Sequence, residues 1–417
     1  MTAPRVGIEK LHLYPCSLAL DMDVLCEARG QDPEYIHNTM LVDERSVNPP
    51  WEDPVTMAVN AAMPMLTDDD RGSIELLIVA SESGLDYEKP LSAWVHRFLG
   101  LGPRCRNFEI KHACYAGTGA LQMALAWVAS GLAGEAKALV ITTDQSRTNL
   151  GKPWEFVLGA GAAAMLVSRQ PRFLEIEPGK NGYYSQEVTD LLRPTSRLEI
   201  GHADISLVTY MEALQAAYEN YVTRVRCLTG EDVQFDEYFS RNVYHVPFGG
   251  ITFRAHKALL GLQRSVGKAE AWEHFARRSL PALRYTRRMG GTYGSSTFAA
   301  MLGLAAADSS HRLQSGERIG IFAFGSGCCA EFYSGLASDQ TAEVARAAGV
   351  DALLDARHQL TLWEYEQAEN TRLAFTDEST FRVSFDGFGG WFDRHYRGNG
   401  YLILCGADNF ERQYARS

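Results

Sequence analysis

The sequence predicts an α/β protein made of two successive strand–helix sets that share one core. Three observations carry that expectation. Ile74–Ala80, Lys137–Thr143 and Arg318–Phe324 are short, nearly continuous apolar runs, the pattern of strands buried on both faces. Small-residue turns open apolar helices at Cys114-Tyr115-Ala116-Gly117-Thr118-Gly119 and again at Gly290-Gly291-Thr292-Tyr293-Gly294-Ser295. The length, 417 residues, suits two average units or one large one. The division is expected near Arg169–Pro178, giving halves of residues 1–170 and 171–417, although no sequence repeat relates them.

In chain order, Val6–His12 reads as the first strand, followed by short helices at Asp21–Ala28 and Pro33–Asn38. A longer helix spans Pro54–Leu66. After the strand Ile74–Ala80 comes the loop Ser81-Glu82-Ser83-Gly84-Leu85-Asp86. Phe108–Ile110 leads into the Cys114 turn, and Leu121, Met123, Ala124, Leu125, Trp127, Val128 and Leu132 give a dense apolar set near a helical period beyond it. The run Gly159–Ser168 is a further strand. Its Gly159-x-Gly161 precedes a strand rather than a helix, so nicotinamide binding is rejected. Ser206–Val225, Arg254–Leu262, Ala269–Ser279 and Leu360–Asn370 read as helices, and the Gly290 turn opens one running to Ala306. Arg241–His245, Phe381–Phe385 and Tyr401–Cys405 read as strands.

Composition bounds the function classes. The chain is 46% hydrophobic and 22% charged, as in ordinary globular proteins. A formal net charge of -11 argues against nucleic-acid binding. No run of eighteen apolar residues and no apolar signal core occurs, so a cytoplasmic protein without a membrane partner is expected. Eight cysteines lie scattered without a Cys-x-x-Cys pair, which gives no metal or redox motif. Adjacent Cys328 and Cys329 are expected to pack rather than to form a strained disulfide.

Three groups fall at the ends of buried segments. Cys114 precedes a helix whose N–H groups and dipole favour a thiolate. Glu82 follows a strand end, where α/β proteins place chemistry, and His245 ends a strand before Pro247 and two glycines. Taken singly, each has a plain alternative: a core thiol, a solvated carboxylate, a turn histidine. Together they suit acyl transfer to a thiol, proton abstraction beside the acyl carbonyl, and polarisation of a second carbonyl. A Cys–His hydrolase uses the same residues, and spacing leaves both open.

Five stretches in order, ELLIVASESGLD at 75–86, FEIKHACYAGTG at 108–119, KALVITTDQSR at 137–147, YHVPFGG at 244–250 and FGSGCCAEFYSG at 324–335, narrow the choice. On these the chain resembles the 3-hydroxy-3-methylglutaryl (HMG) synthases of the thiolase superfamily, and among them the branch that serves polyketide β-branching. The resemblance implies a five-layer αβαβα fold and a homodimer. It implies that Cys114 carries the acyl group, that Glu82 is general base and then acid, and that His245 orients the acceptor. Backbone amides of Cys114 and Ser326 would form the oxyanion hole. It implies no metal and no tightly bound cofactor. Donor and acceptor would each ride on an acyl carrier protein through a phosphopantetheine thioester. A coenzyme A-dependent enzyme of primary metabolism and an impaired homologue that only docks carriers are the alternatives.

The acceptor pocket is expected to include Thr148, Phe248, Gly291 and Tyr293. The family usually has asparagine at the position of Gly291 and more often a bulky aromatic at that of Thr148. Lost volume at these two positions suggests an enlarged or reshaped site, open to a donor bulkier than acetyl, such as propionyl. Carrier docking calls for positive charge, which Arg254, His256 and Lys257 supply after the His245 loop. The run Arg277, Arg278, Arg284, Arg287 and Arg288 is equally well read as a solvated face.

Overall fold

A computed structural model describes residues 5–147 and 149–417. Thr148 therefore lies outside the described residues. Among the described residues, nine strands form the main sheet: β1 (Gly7–Tyr14), β2 (Ile74–Ala80), β3 (Arg106–Ile110), β4 (Lys137–Gln145), β5 (Ala160–Ser168), β6 (Leu174–Ser185), β7 (Arg241–Tyr244), β8 (Arg318–Gly325) and β9 (Cys329–Ala337). Their order across the sheet is β7-β8-β9-β6-β1-β5-β4-β2-β3. The pairs β2–β3, β2–β4 and β7–β8 are parallel, and the pairs between them are antiparallel. Five strands precede residue 170 and four follow it. Among the described residues, the two sets join within this sheet where Gly7 and Ile8 of β1 pair with Glu175 and Leu174 of β6.

The helices that cover the sheet are α1 (Pro54–Ala62), α2 (Leu91–Phe98), α3 (Ala116–Ala129), α4 (Ala203–Thr229), α5 (Gly249–Gly261), α6 (Lys268–Arg278) and α7 (Ser296–Ala305). Three apolar clusters give the layering. Leu77, Val79, Leu139 and Ile141 turn to α1 and α2. The opposite face of those strands, through Ile78, Ala80, Ala138 and Val140, packs on α3 and α7, which also receive Ile321 and Ala323 of β8. Phe322, Phe324 and Phe332 face away and meet Tyr210, Tyr218 and Tyr221 of α4. Helices, strands, central helices, strands and helices thus make five layers, the thiolase-like arrangement. The period of two along each buried strand produces it. Among the described residues, no helix is long and apolar enough to cross a membrane.

Strand β2 has the expected limits, whereas β6 and β9 lie where no strand was expected. Both carry charge inside: Glu177 of β6 pairs with Arg318 at 2.8 Å and accepts from Ser334 at 2.7 Å. Buried polar pairing hides their alternation. Helix α5 starts at Gly249, five residues before the expected Arg254, and a Cβ on Gly249 or Gly250 would strike Leu41 or the Thr39 carbonyl. These glycines serve close packing rather than a turn.

Candidate active site

Cys114 stands on the turn between β3 and α3, after Ala113 at a φ of 40°. A left-handed backbone at a residue other than glycine is strained and marks a turn held by its surroundings. The neighbouring turn after β8 explains how. A Cβ on Gly325 would come within 2.7 Å of the His112 carbonyl, so the segment carrying Ser326 lies against the Cys114 turn. Gly294 approaches from the α7 side, with its Cβ position 3.5 Å from the Cys114 carbonyl oxygen.

Glu82 follows β2, and the Cys114 thiol donates to its Oε2 at 3.6 Å. Asp144, at the end of β4, fixes the Glu82 loop: its Oδ1 accepts from the Glu82 N–H at 2.9 Å and from the hydroxyls of Ser81 at 3.2 Å and Ser83 at 2.9 Å. Burial pushes Glu82 up from the ordinary carboxylate range, against the pull of Arg193. Burial and the Glu82 charge push Asp144 up to about 7. Cys114 also goes up, through burial and then the Glu82 and Asp144 carboxylates. The thiolate expected at this helix end is thus absent at rest. Two adjacent buried negative charges repel, so the pair holds a proton, on sulfur while Glu82 faces Arg193.

His245 is fully buried at the end of β7. Its N–H donates to the Phe322 carbonyl at 2.7 Å, and its carbonyl accepts from the Tyr210 hydroxyl at 2.9 Å. Nδ1 faces Thr297 Oγ1 at 3.4 Å, while Nε2 has no partner among the described residues. Burial lowers its pKa to about 3, so the ring is neutral at physiological pH. The segment 290–297 thus touches both sides of the site, through Gly294 at Cys114 and Thr297 at His245.

Tyr293 of that segment is buried, and its hydroxyl has no partner among the described residues. The Arg193 guanidinium lies 4.7 Å above its ring. Arg193 and Glu199 were invisible to sequence reasoning because their segment has neither period nor motif. Asp144 carried one usable signal, a carboxylate at the end of a buried strand.

Two expectations are corrected here. The space a side chain would take at Gly291 is filled: its Cβ would overlap the Pro247 carbonyl oxygen and lie 3.1 Å from that of Val157. Glycine at 291 therefore closes the backbone on the His245 loop and enlarges nothing. His256 is not a carrier-facing cation. It is buried, with Nε2 2.7 Å from His274 Nδ1 and Nδ1 2.9 Å from the Tyr244 hydroxyl, and burial lowers its pKa to about 3. Arg254 and Lys257 are exposed on α5, and Phe248 is half-buried at its start. Of the arginine run, Arg284, Arg287 and Arg288 pair with Asp351, Asp43 and Glu44 at 2.8, 2.6 and 3.1 Å. Cys328 and Cys329 are both free thiols.

A family model for the hydroxymethylglutaryl-coenzyme A synthase C-terminal region matches residues 261–416. Over 373 residues the chain is 39% identical to PksG of Bacillus subtilis, a polyketide biosynthesis 3-hydroxy-3-methylglutaryl-ACP synthase, covering 86% of this chain and 87% of that protein. The chain belongs to the HMG synthase family. The hydroxymethylglutaryl-CoA synthase of Enterococcus faecalis is 34% identical over 363 residues, covering 87% and 90% of the two chains. The HMG synthase of the curacin pathway, solved in complex with holo donor-ACP, superposes with a TM-score of 0.92 at 37% identity, over 99% of this chain and 100% of that one. Within the family, this HMG synthase stands with the polyketide β-branching enzymes. It is an acyltransferase of the acyl-condensing kind.

Proposed function

We propose that this HMG synthase joins a carrier-bound acetyl or propionyl group to the β-carbonyl of a β-ketoacyl carrier thioester. The observation that carries the reading is the part-buried contact of the Cys114 thiol with Glu82, together with a buried neutral histidine, reached from the same segment 290–297, whose Nε2 has no partner among the described residues. The thiol gives its proton to Glu82 and attacks the donor thioester, and the carrier's thiol leaves with that proton. The developing oxyanion is received by the backbone amides of Cys114 and Ser326, on turns that lie against each other.

Glu82 then removes a proton from the carbon next to the Cys114 thioester. That carbon attacks the acceptor ketone, and the tertiary alkoxide takes the proton back from Glu82. The reading assigns the His245 proton to Nε2, free to donate to the acceptor carbonyl, and makes Nδ1 the acceptor in its 3.4 Å contact with the Thr297 hydroxyl. Tyr293, Phe248 and Gly291 border this side. Water cleaves the Cys114 thioester and leaves a carboxyalkyl branch and a tertiary hydroxyl on the acceptor chain.

The substrate arms are phosphopantetheine thioesters of a donor and an acceptor acyl carrier protein. PksG is named an ACP synthase, and the curacin enzyme was solved with donor-ACP. Exposed Arg254 and Lys257, on the helix that follows His245, offer the acidic carriers a docking face. A second copy pairing along the open edge of β3 makes the homodimer. The chain divides near residue 170 into two halves around one core.

Intact-protein mass spectrometry after mixing with acetyl- and propionyl-loaded carrier tests the reading. Wild type gains the acyl mass and loses it to a β-ketoacyl carrier, giving a branched product, and Cys114→Ala gains none. An adduct that persists in Cys114→Ala, or discharge without a branched product, refutes it.

A further inference from the structure

Glu82 stands in a crowd of charge. The Cys114 thiol, the Asp144 and Glu199 carboxylates, the Arg147 and Arg193 guanidinium groups and the Tyr293 hydroxyl all act on it. Arg193 is the cation in direct contact. Its Nη2 lies 3.6 Å from Glu82 Oε1, and its Nη1 donates to the Glu82 carbonyl and the Ser83 hydroxyl, both at 3.1 Å. Glu199 Oε1 meets the same Nη2 at 3.4 Å, and the guanidinium lies 4.7 Å from the centre of the Tyr293 ring. The side chains of Arg193 and Glu82 are only 10% and 8% exposed.

We propose that Arg193 is the positioning residue of the base: it anchors one carboxylate oxygen of Glu82, leaves the other to the reacting atoms, and supplies the charge that keeps Glu82 ionised. The inference rests on Glu82 being the base. The two oxygens are already divided in this way, Oε1 toward Arg193 and Oε2 toward the thiol. Because Arg193 also grips the Glu82 backbone, the carboxylate is held at both ends of its side chain. Glu199 opposes the effect electrically, since it raises the pKa that Arg193 lowers.

Opposite signs give the test. Cys114 is loaded with acetyl from its carrier, and single-turnover discharge to acetoacetyl carrier is followed across pH. In Arg193→Gln the acid limb moves to higher pH by about one to three units, the usual effect of one cation at this range, with at least about a tenfold loss below the new limb. Arg193→Lys keeps the limb near the wild-type position, and Glu199→Gln moves it to lower pH. A uniform loss at every pH in Arg193→Gln, with the limb unmoved, overturns the proposal. If Arg193→Gln does not fold, an unmoved limb in Glu199→Gln overturns it equally. Glu82→Gln separates the two readings. Wild-type discharge from that variant removes the base itself, whereas a dead Glu82→Gln beside an unmoved Arg193→Gln limb removes only the role of Arg193.

Discussion

Adding a single carbon at Gly291 tests how tightly the acceptor side of the site is built. A Cβ there meets the Pro247 carbonyl oxygen inside van der Waals distance and the Val157 carbonyl oxygen at 3.1 Å. Neither side has room to retreat. The Gly291 N–H donates to Val157 at 2.6 Å, and its carbonyl accepts from Gly159 at 2.9 Å. Relief requires Pro247 to move by about 1 Å to reach ordinary contact. Pro247 is two residues from His245, whose own backbone is tied to Phe322 and Tyr210. Overpacking of this kind costs about 1–3 kcal/mol, and a 1 Å misplacement of a reacting group costs on the order of a hundredfold in rate. Gly291→Ala and Gly291→Asn are therefore expected to lower Tm by a few degrees. Discharge of acyl-Cys114 to the acceptor should fall between about tenfold and a hundredfold. Acylation of Cys114, whose turn packs against Gly294 and Gly325, should fall much less. Calorimetry and the two half-reactions measure this directly. If Gly291→Asn keeps the wild-type Tm and condenses faster, the packing argument is wrong and the position is an unfilled part of the pocket.

Two further outcomes follow from buried and exposed charge. His256 has its pKa lowered to about 3, so the stability it lends is complete above its unfolded value and lost as pH falls from about 6.5 toward 3. Relative to wild type, His256→Gln should therefore gain about 2 kcal/mol between pH 6.5 and pH 5 in urea denaturation, whatever its offset at neutral pH; a constant difference would show that the histidine titrates normally. The double variant Arg254→Glu, Lys257→Glu should weaken turnover of carrier-bound acyl groups about tenfold or more while a small soluble thioester acylates Cys114 nearly as before, and equal losses in both assays would remove the docking role.

What the sequence revealed, and what it hid, follows from where charge is placed. The strand Ile74–Ala80 was legible to the residue because both faces are apolar. Leu174–Ser185 was not, because Glu175, Glu177, Lys180 and Asn181 break the alternation. The structure neutralises these in pairs such as Glu177 with Arg318 and Asn181 with Glu331. The same holds at the site. Cys114, Glu82 and His245 each sit at the end of a regular element, so the position of the element announces them. Arg193 sits 111 residues from Glu82 with no period around it, and only the folded chain brings the two together.

That difference bears on the chemistry. A helix end read in isolation argues for a thiolate at Cys114, yet the folded site sets Glu82 and Asp144 against it. The dipole of one helix is worth about 0.3–2 kcal/mol, less than the cost of a second negative charge in a buried site. The resting pair must then be a thiol donating to a carboxylate, with Arg193 opposite. Such a pair couples the two half-reactions. In the proposed reaction the proton that leaves sulfur goes to Glu82, and acylation of sulfur removes the competing charge before Glu82 acts as base. One carboxylate, Glu82, there serves thiol activation and carbon deprotonation in turn, with the Arg193 cation holding it in place between them.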